Sequence, residues 1–450
     1  MGTFQYLVKI LVTTGLGLSL FSCGSGGTVD EVIIPAEALS VITETPIETP
    51  KEDIQVLFSE DIEKDIRQSV PTDINIPLGL KAALDIEYLG AFRALADGQS
   101  TSDYAVGTLG FNPDNNSIFM AGHDYHGAIA EFAIPSQLSF ESQASNIPEA
   151  AVLQQYVKIL NKKETGNTTN KINGILYHNQ NLLVSSEIWY DGNASNTDNL
   201  QVFSNAMDIR SSGYKGMLRI EGAAKASGYM SKVPTELQEK IGTEYLVGWA
   251  SNYAITSRYS QGPSFYKFDP NQAIDAVVSV DRKITTDPLM VFPLSAGKQL
   301  VEGGNEYAGE ISPIWGPLSR ARYGFIIPGT TYFLAIGQHS GLHSGVGYKI
   351  TQDNGRLCGG PCSYENSDIY NYFWVFDVND MLSAEHPWLV RPVSYGKWSH
   401  PYDKDGANGV IGGAYDDEKN ILYLALRGAG KIGAYDLPPL IIGYQVKAKK

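Results

Sequence analysis

The sequence is short of the features that usually announce a function. Among 450 residues there are three cysteines and seven histidines. Cys358 and Cys362 are the only thiols beyond the N-terminal region, which excludes a disulfide-stapled scaffold. The one pronounced apolar run, residues 10–21, is too short to span a bilayer comfortably. Charged residues make up 18% of the chain, with no basic run or aromatic RNP-like segment, so nothing argues for nucleic acid. There is no G-x-S-x-G elbow, P-loop, H-E-x-x-H or dinucleotide fingerprint. Acidic pairs are abundant, but context singles out none as a glycosidase pair. Helical patterns are few and short, residues 233–241 (VPTELQEKI) being the clearest.

What the chain does have is glycine and tyrosine, 46 and 26 residues, in strand-like runs separated by turn clusters. Examples are 172–186, 264–270, 323–338 and 372–378. Asn179-Gln180-Asn181 and Pro328-Gly329-Thr330 are hairpin-turn candidates between β-rich flanks. Several runs close on an aromatic residue followed by aspartate: Phe268-Asp269, Phe376-Asp377 and Tyr435-Asp436. The stretch 108–135 (TLGFNPDNNSIFMAGHDYHGAIAEFAIP) recurs near the C-terminus. Residues 111–116 align with 415–420, 118–121 with 422–425, and 127–135 with 430–438. First-to-last similarity in a helix-poor chain predicts an all-β fold, a β-propeller. At about 40–55 residues per blade, a folded part of roughly 370 residues gives about seven blades. A large β-sandwich with a second β domain is the competing architecture.

Three segments follow. Residues 1–22 read as a signal peptide: Lys9 precedes the apolar run, which ends in Leu20-Phe21-Ser22-Cys23 before Gly24-Ser25-Gly26-Gly27. This resembles a bacterial lipobox in which Cys23 is acylated, with a plain cleaved signal as the alternative. No Asp follows Cys23, so the default destination is the outer membrane or cell surface, with contact to membrane through the lipid only. Residues 23–75 form an acidic, Pro- and Thr-rich tether that cannot bury enough apolar surface to fold. Residues 24–77 carry twelve acids against Lys51, Lys64 and Arg67. The net charge of -15 is therefore concentrated there, and an anionic partner of the folded part is not excluded. The propeller domain spans 76–450 and is read as a monomer.

Two local patterns carry metal or disulfide chemistry. His339 and His343, followed by Cys358 and Cys362, have the spacing of a closed tetrahedral zinc site, which would be structural. A Cys358–Cys362 disulfide is the competing reading, natural in an exported protein. No organic cofactor is indicated. A separate insert, Gly122-His123-Asp124-Tyr125-His126-Gly127, follows a strand where the last repeat has Leu426-Arg427-Gly428. His178 sits at a hairpin turn, and Arg258 lies between Ser257 and Tyr259. Arginine is suited to gripping a carboxylate with two parallel hydrogen bonds.

The motifs FNPDNNSIFMAGHD and IAEFAIP, with SRYSQGPSFYKFDP, YFWVFDVNDML, PWLVRP and IGGAYDDEKNILYLA, resemble a family of exported bacterial propeller proteins over most of residues 85–440. That family includes the seven-bladed ulvan lyases, which cut a sulfated, uronate-containing algal polysaccharide. The resemblance implies β-elimination: a base removes the uronate C5 proton, an acid protonates the leaving C4 oxygen, and the carboxylate's developing charge is neutralised. It implies His123 and His178 as the histidines, Tyr245 as the tyrosine and Arg258 as the neutraliser. His126 and Tyr190 are the alternates, placed as substrate-binding residues. The competing function is a non-catalytic glycan-binding or scaffold lipoprotein.

Overall fold

A computed structural model describes residues 84–160, 169–193, 198–249, 258–276, 283–304, 311–404 and 407–448. The expected signal segment, Cys23, the tether and residues 76–83 lie outside the described residues.

The described residues form an all-β propeller. The first blade comprises Leu109–Asn112, Ser117–Ala121, Ala128–Ala133 and Val152–Lys158, in that order outward from the centre. The second comprises Lys171–His178, Asn181–Glu187, Leu200–Phe203 and Tyr214–Ile220, to which Lys283–Ile284 adds a short parallel edge. The third comprises Met230–Lys232, Tyr245–Val247, Phe265–Phe268 and Asp287–Met290. The fourth comprises Arg320–Ile326, Tyr332–Ser340, Ile369–Asp377 and Ser394–Lys397. The fifth comprises Val410–Asp416, Ile421–Leu426 and Leu440–Ala448, and its outermost strand is the N-terminal Leu84–Arg93. Pairing the first strand with the last clasps the ring and leaves no open seam between the chain ends.

The five innermost strands adjoin one another in a closed cycle. The described residues therefore make five blades where about seven were expected from length. Each blade uses more chain than the 40–55 residues assumed, because connections such as 291–319 and 341–368 are long.

The repeat is confirmed in part. Strands 109–112 and 117–121 correspond to 410–416 and 421–426, in neighbouring blades. Both hairpins turn on an asparagine in the left-handed region, Asn116 at φ 48° and Asn420 at φ 57°. The second half of the alignment fails: 128–133 is a strand, whereas 427–439 is a connection and the third strand begins at Leu440. The segment GKIGAYDLPP has glycines and a Pro-Pro pair that cannot sustain a ladder; LIIGYQVKA after it can. The Phe-Asp strand ends are helix caps. Asp269 and Asp377 accept from Asn271 N and Asn379 N at the starts of Pro270–Asp275 and Val378–Ser383, which satisfies an otherwise orphaned donor.

Blades pack face to face through large apolar side chains. Between the third and fourth blades Tyr229, Phe265, Phe325 and Phe333 are buried, with the Phe265 and Phe333 rings 5.4 Å apart. Burial of each such side chain is worth about 1.5–3 kcal/mol. Nearer the axis the strands approach too closely for side chains: a Cβ on Gly174 would lie 1.9 Å from the Gly228 carbonyl oxygen. Beside this contact the inner strand bulges between Ile172 and Gly174, and the fourth and fifth blades bulge likewise between Ala321 and Tyr323 and between Val410 and Gly412.

The inner strands run in one direction. Thr108 Oγ1 donates to the Ile172 carbonyl at 3.0 Å, and further along Tyr177 Oη donates to Asp114. The ring consequently has two unlike ends. Where inner strands finish, the connections include the tight turns 113–116, 179–180, 327–331 and 417–420; we call this the turn face. Where inner strands start, the connections, which include 94–108, 188–193, 291–304, 311–319, 341–368 and 427–439, are mostly long; this is the loop face.

Candidate functional site

The predicted site residues divide between the two faces. His178 ends the second blade's inner strand and pairs with Asn181 across a hairpin on the turn face. It is buried, with Nδ1 3.0 Å from Tyr245 Oη and Nε2 3.0 Å from Asn271 Oδ1. Burial, with Asp417 and Glu244 nearby, pushes the Tyr245 phenol up to about 12. His178 and Tyr245 thus meet at this end of the ring. A Lys232–Asp417 ion pair at 2.6 Å joins the third and fifth blades at the same end.

His123, His126, Tyr190 and Arg258 belong to the loop face. His123 follows the first blade's second strand, and its ring stacks 4.5 Å from His126. The Tyr104 and Tyr125 rings are 5.8 and 5.7 Å from it. Tyr125 N donates to His123 Nδ1 at 3.2 Å, and Ser100 Oγ lies 3.1 Å from His126 Nδ1. Burial, then the His123 and Lys158 charges, lower the His126 pKa. Arg258 Nε donates to the Asp191 carbonyl oxygen at 3.4 Å, which brings it beside exposed Tyr190. Lys225 is close enough that Arg258 adds to the burial that lowers its pKa. The structure does not bring His178 and Tyr245 together with His123 and Arg258, because the length of the inner strands separates the two groups.

The strongest electrostatic feature of the loop face involves residues not predicted. Arg320 opens the fourth blade's inner strand, Arg322 occupies its bulge, and Arg427 follows the fifth blade's second strand. Burial and then the neighbouring Arg322 and Arg427 charges take Arg320 well below an ordinary arginine. Burial and Arg427 take Arg322 down to about 10. None of the three guanidinium groups pairs with a carboxylate among the described residues. Lys171, at the start of the second inner strand, makes an ion pair with Asp124, which ties the cluster to the His123 insert. Glu187 ends the adjacent strand, is 2% exposed, and is raised by burial to about 8, with Asn173, Arg322 and Lys171 opposing the shift. Like charges crowded away from water are unfavourable unless an anion joins them.

Around this centre the loop face carries an aromatic rim. Among the described residues every exposed aromatic ring except Phe140 lies on its loops: Tyr104, Tyr125, Trp189, Tyr190, Tyr348, Tyr364 and Tyr435. The signal that could have found the cationic centre is Arg320-Ala321-Arg322 before a glycine, where a bulge re-aims a side chain. Arg427 was visible as the last repeat's counterpart of the histidine insert.

The expected zinc site is not assembled. Cys358 and Cys362 form a disulfide, the competing reading, and no metal-holding group of three or more His, Cys, Asp or Glu occurs among the described residues. His339 ends a strand facing inward, with Nδ1 3.0 Å from Ser319 Oγ and Nε2 2.9 Å from the Ser312 carbonyl oxygen. Burial lowers it to about 4. His343 lies 3.3 Å from Lys397 Nζ, which disfavours a divalent cation at that ring.

No protein-family model matches the chain, and no curated protein sequence matches it. Solved structures similar to it include Kuenenia stuttgartiensis hydrazine synthase, 9% identical, with a TM-score of 0.28 over 74% of this chain and 57% of that one. The match spans little more than half of that protein's length, and a likeness of this size carries no inference about activity.

Proposed function

We propose that the loop face binds an anionic, uronate-bearing polysaccharide, with the carboxylate seated on the arginine cluster. The observation that carries this reading is the crowding of Arg320, Arg322 and Arg427, none of which makes an ion pair with a carboxylate among the described residues, Asp124 and Glu187 only partly offsetting their charge. Guanidinium groups grip carboxylate and sulfate oxygens in pairs. The aromatic rim supports a sugar polymer over a small anion, since amphipathic rings suit partly apolar sugar faces. The reading includes an exported, surface-anchored, monomeric protein, as the lipobox-like Cys23 suggests. Binding of ulvan or another polyuronate, measured by calorimetry at two salt concentrations, tests it. No binding at low salt to any uronate polymer would refute it.

A second reading adds cleavage by β-elimination. It is favoured by the stacked His123–His126 pair beside Tyr104 and Tyr125, on the same face as the arginines and tied to them through Asp124 and Lys171. A neutral imidazole accepts the C5 proton, and a phenol or the second imidazole protonates the leaving oxygen, while the arginines hold the enolate-like charge. His178 and Tyr245 take no part in this version. Incubation with ulvan and detection of the unsaturated uronate by ultraviolet absorbance decides it; binding without new absorbance leaves the recognition reading alone.

A further inference from the structure

On the turn face, the connection between the second blade's two outer strands carries Met207, which is 43% exposed. The other methionines among the described residues, Met120, Met217, Met230, Met290 and Met381, are at most 4% exposed. The connection is bound to the first blade on both sides of Met207. The Gln154 side chain donates to the Ala206 carbonyl oxygen and accepts from Ile209 N, each at 2.8 Å. That sets the thioether against Asn112 and Asn115. Each of these amides gives one Nδ2 hydrogen to Glu131 Oε1, at 2.9 and 3.1 Å. The other hydrogen is directed at Met207 Sδ, from 3.9 and 3.6 Å. A thioether is a weak acceptor. Asn112 is fully buried, so an amide that cannot reach water spends a donor on a poor partner. Two such donors converging on one sulfur are matched better by an oxygen.

We propose that Met207 is a site of oxidative modification, and that its sulfoxide holds the first and second blades together more tightly than the thioether does. The oxidant is a peroxide. A sulfur lone pair forms the S–O bond as the O–O bond of hydrogen peroxide breaks. The departing hydroxide takes the proton left on the transferred oxygen and leaves as water, so sulfur loses two electrons and the peroxide gains them. Exposure lets peroxide reach this sulfur, and burial keeps it from the other five. Rotation about the Cγ–Sδ bond turns the new oxygen toward the two amides, which Glu131 already holds in place. Sulfoxidation usually loosens a fold by setting a polar oxygen among apolar groups. Here the oxygen meets donors, and the sign reverses.

The test is treatment of the full chain with hydrogen peroxide under native conditions, read by peptide mass spectrometry and by amide hydrogen exchange. Met207 gains one oxygen atom before any of the five buried methionines does. Exchange in residues 204–213 then slows by about threefold or more, the scale of one strengthened hydrogen bond. Met207→Gln, whose amide oxygen reaches the same donors, slows exchange there without peroxide, and Asn115→Ala reduces the gain on oxidation. Oxidation of a buried methionine in the folded chain as fast as Met207 overturns the site. Unchanged or faster exchange in 204–213 once Met207 is oxidised overturns the tightening. Both results are read on the wild-type chain, so neither depends on a variant that folds.

Discussion

Replacing Arg322 with methionine should make this protein more stable and less able to bind anions. Methionine keeps the length and flexibility of the side chain while removing its charge. Burial and Arg427 bring the guanidinium down to about 10, which means the folded chain holds that proton less tightly than the unfolded chain does. The penalty is present in full at every pH below 10 and is relieved only as pH rises through it. At about 1.4 kcal/mol per pK unit, the charge costs the ligand-free fold on the order of 3 kcal/mol. Imperfect repacking by methionine takes back about 1 kcal/mol, leaving a gain on the order of 2 kcal/mol. Glu187 does not become an uncompensated charge in the variant, because with a pKa of about 8 it is already protonated at neutral pH. Urea unfolding at pH 7 reads the difference as a shift of midpoint at constant slope. Wild type, but not the variant, should recover the deficit when a uronate ligand is added. A lower midpoint for Arg322→Met, with no ligand response in wild type, would show that the guanidinium supports the fold and is not held strained for a ligand.

Glu187→Gln should flatten the pH dependence of stability between 4.5 and 8. The carboxyl is raised from 4.5 to about 8, so in that window the folded chain keeps a proton that the unfolded chain has lost, and stability falls as pH rises. The wild-type loss that the variant escapes is on the order of 4 kcal/mol, read from urea midpoints at pH 5 and pH 8. The double substitution of Cys358 and Cys362 by serine should cost at most about 2 kcal/mol, since the pair closes a very short loop. That loss should be confined to the hairpin of Val346–Tyr348 and Pro361–Ser363, visible by hydrogen exchange there. Two reactive thiols from this pair in unreduced protein, or stoichiometric zinc in its metal analysis, would contradict the disulfide. Gly174→Ala should cost about 3 kcal/mol, because its Cβ would strike the Gly228 carbonyl oxygen and the backbones of two blades would have to part. A cost under about 1 kcal/mol would mean that the blades are not so closely packed at the axis.

The propeller was legible because its signals are local. The Asn116 and Asn420 hairpins announce themselves by turn residues in the same register, and Asn179 and Gln180, both at positive φ, do so for the second blade. Blade number was not legible, because it depends on how much chain the connections take up, and no residue pattern fixes that. His339 shows the same limit from another side. Its spacing to His343, Cys358 and Cys362 suits a metal, but spacing does not say which way a strand residue faces. At the end of Tyr332–Ser340 the ring turns inward, where Ser319 and the Ser312 carbonyl oxygen satisfy both nitrogens.

The cationic centre was the least legible part, and the reason lies in the ring. Lys171, Arg322 and Arg427 come from three blades and are far apart in sequence, so each taken singly is an ordinary strand-end cation. Closure of the cycle brings inner-strand starts together at one end of the axis, and only there do their charges act on one another. The same closure explains why His123 and His178 do not converge. Both sit beside short turns in the sequence, but one turn follows a second strand and the other follows an inner strand. In a ring of parallel inner strands those two kinds of turn lie on opposite faces. A histidine insert therefore gains meaning from the blade position of its turn, and in the first blade that position is beside the arginines.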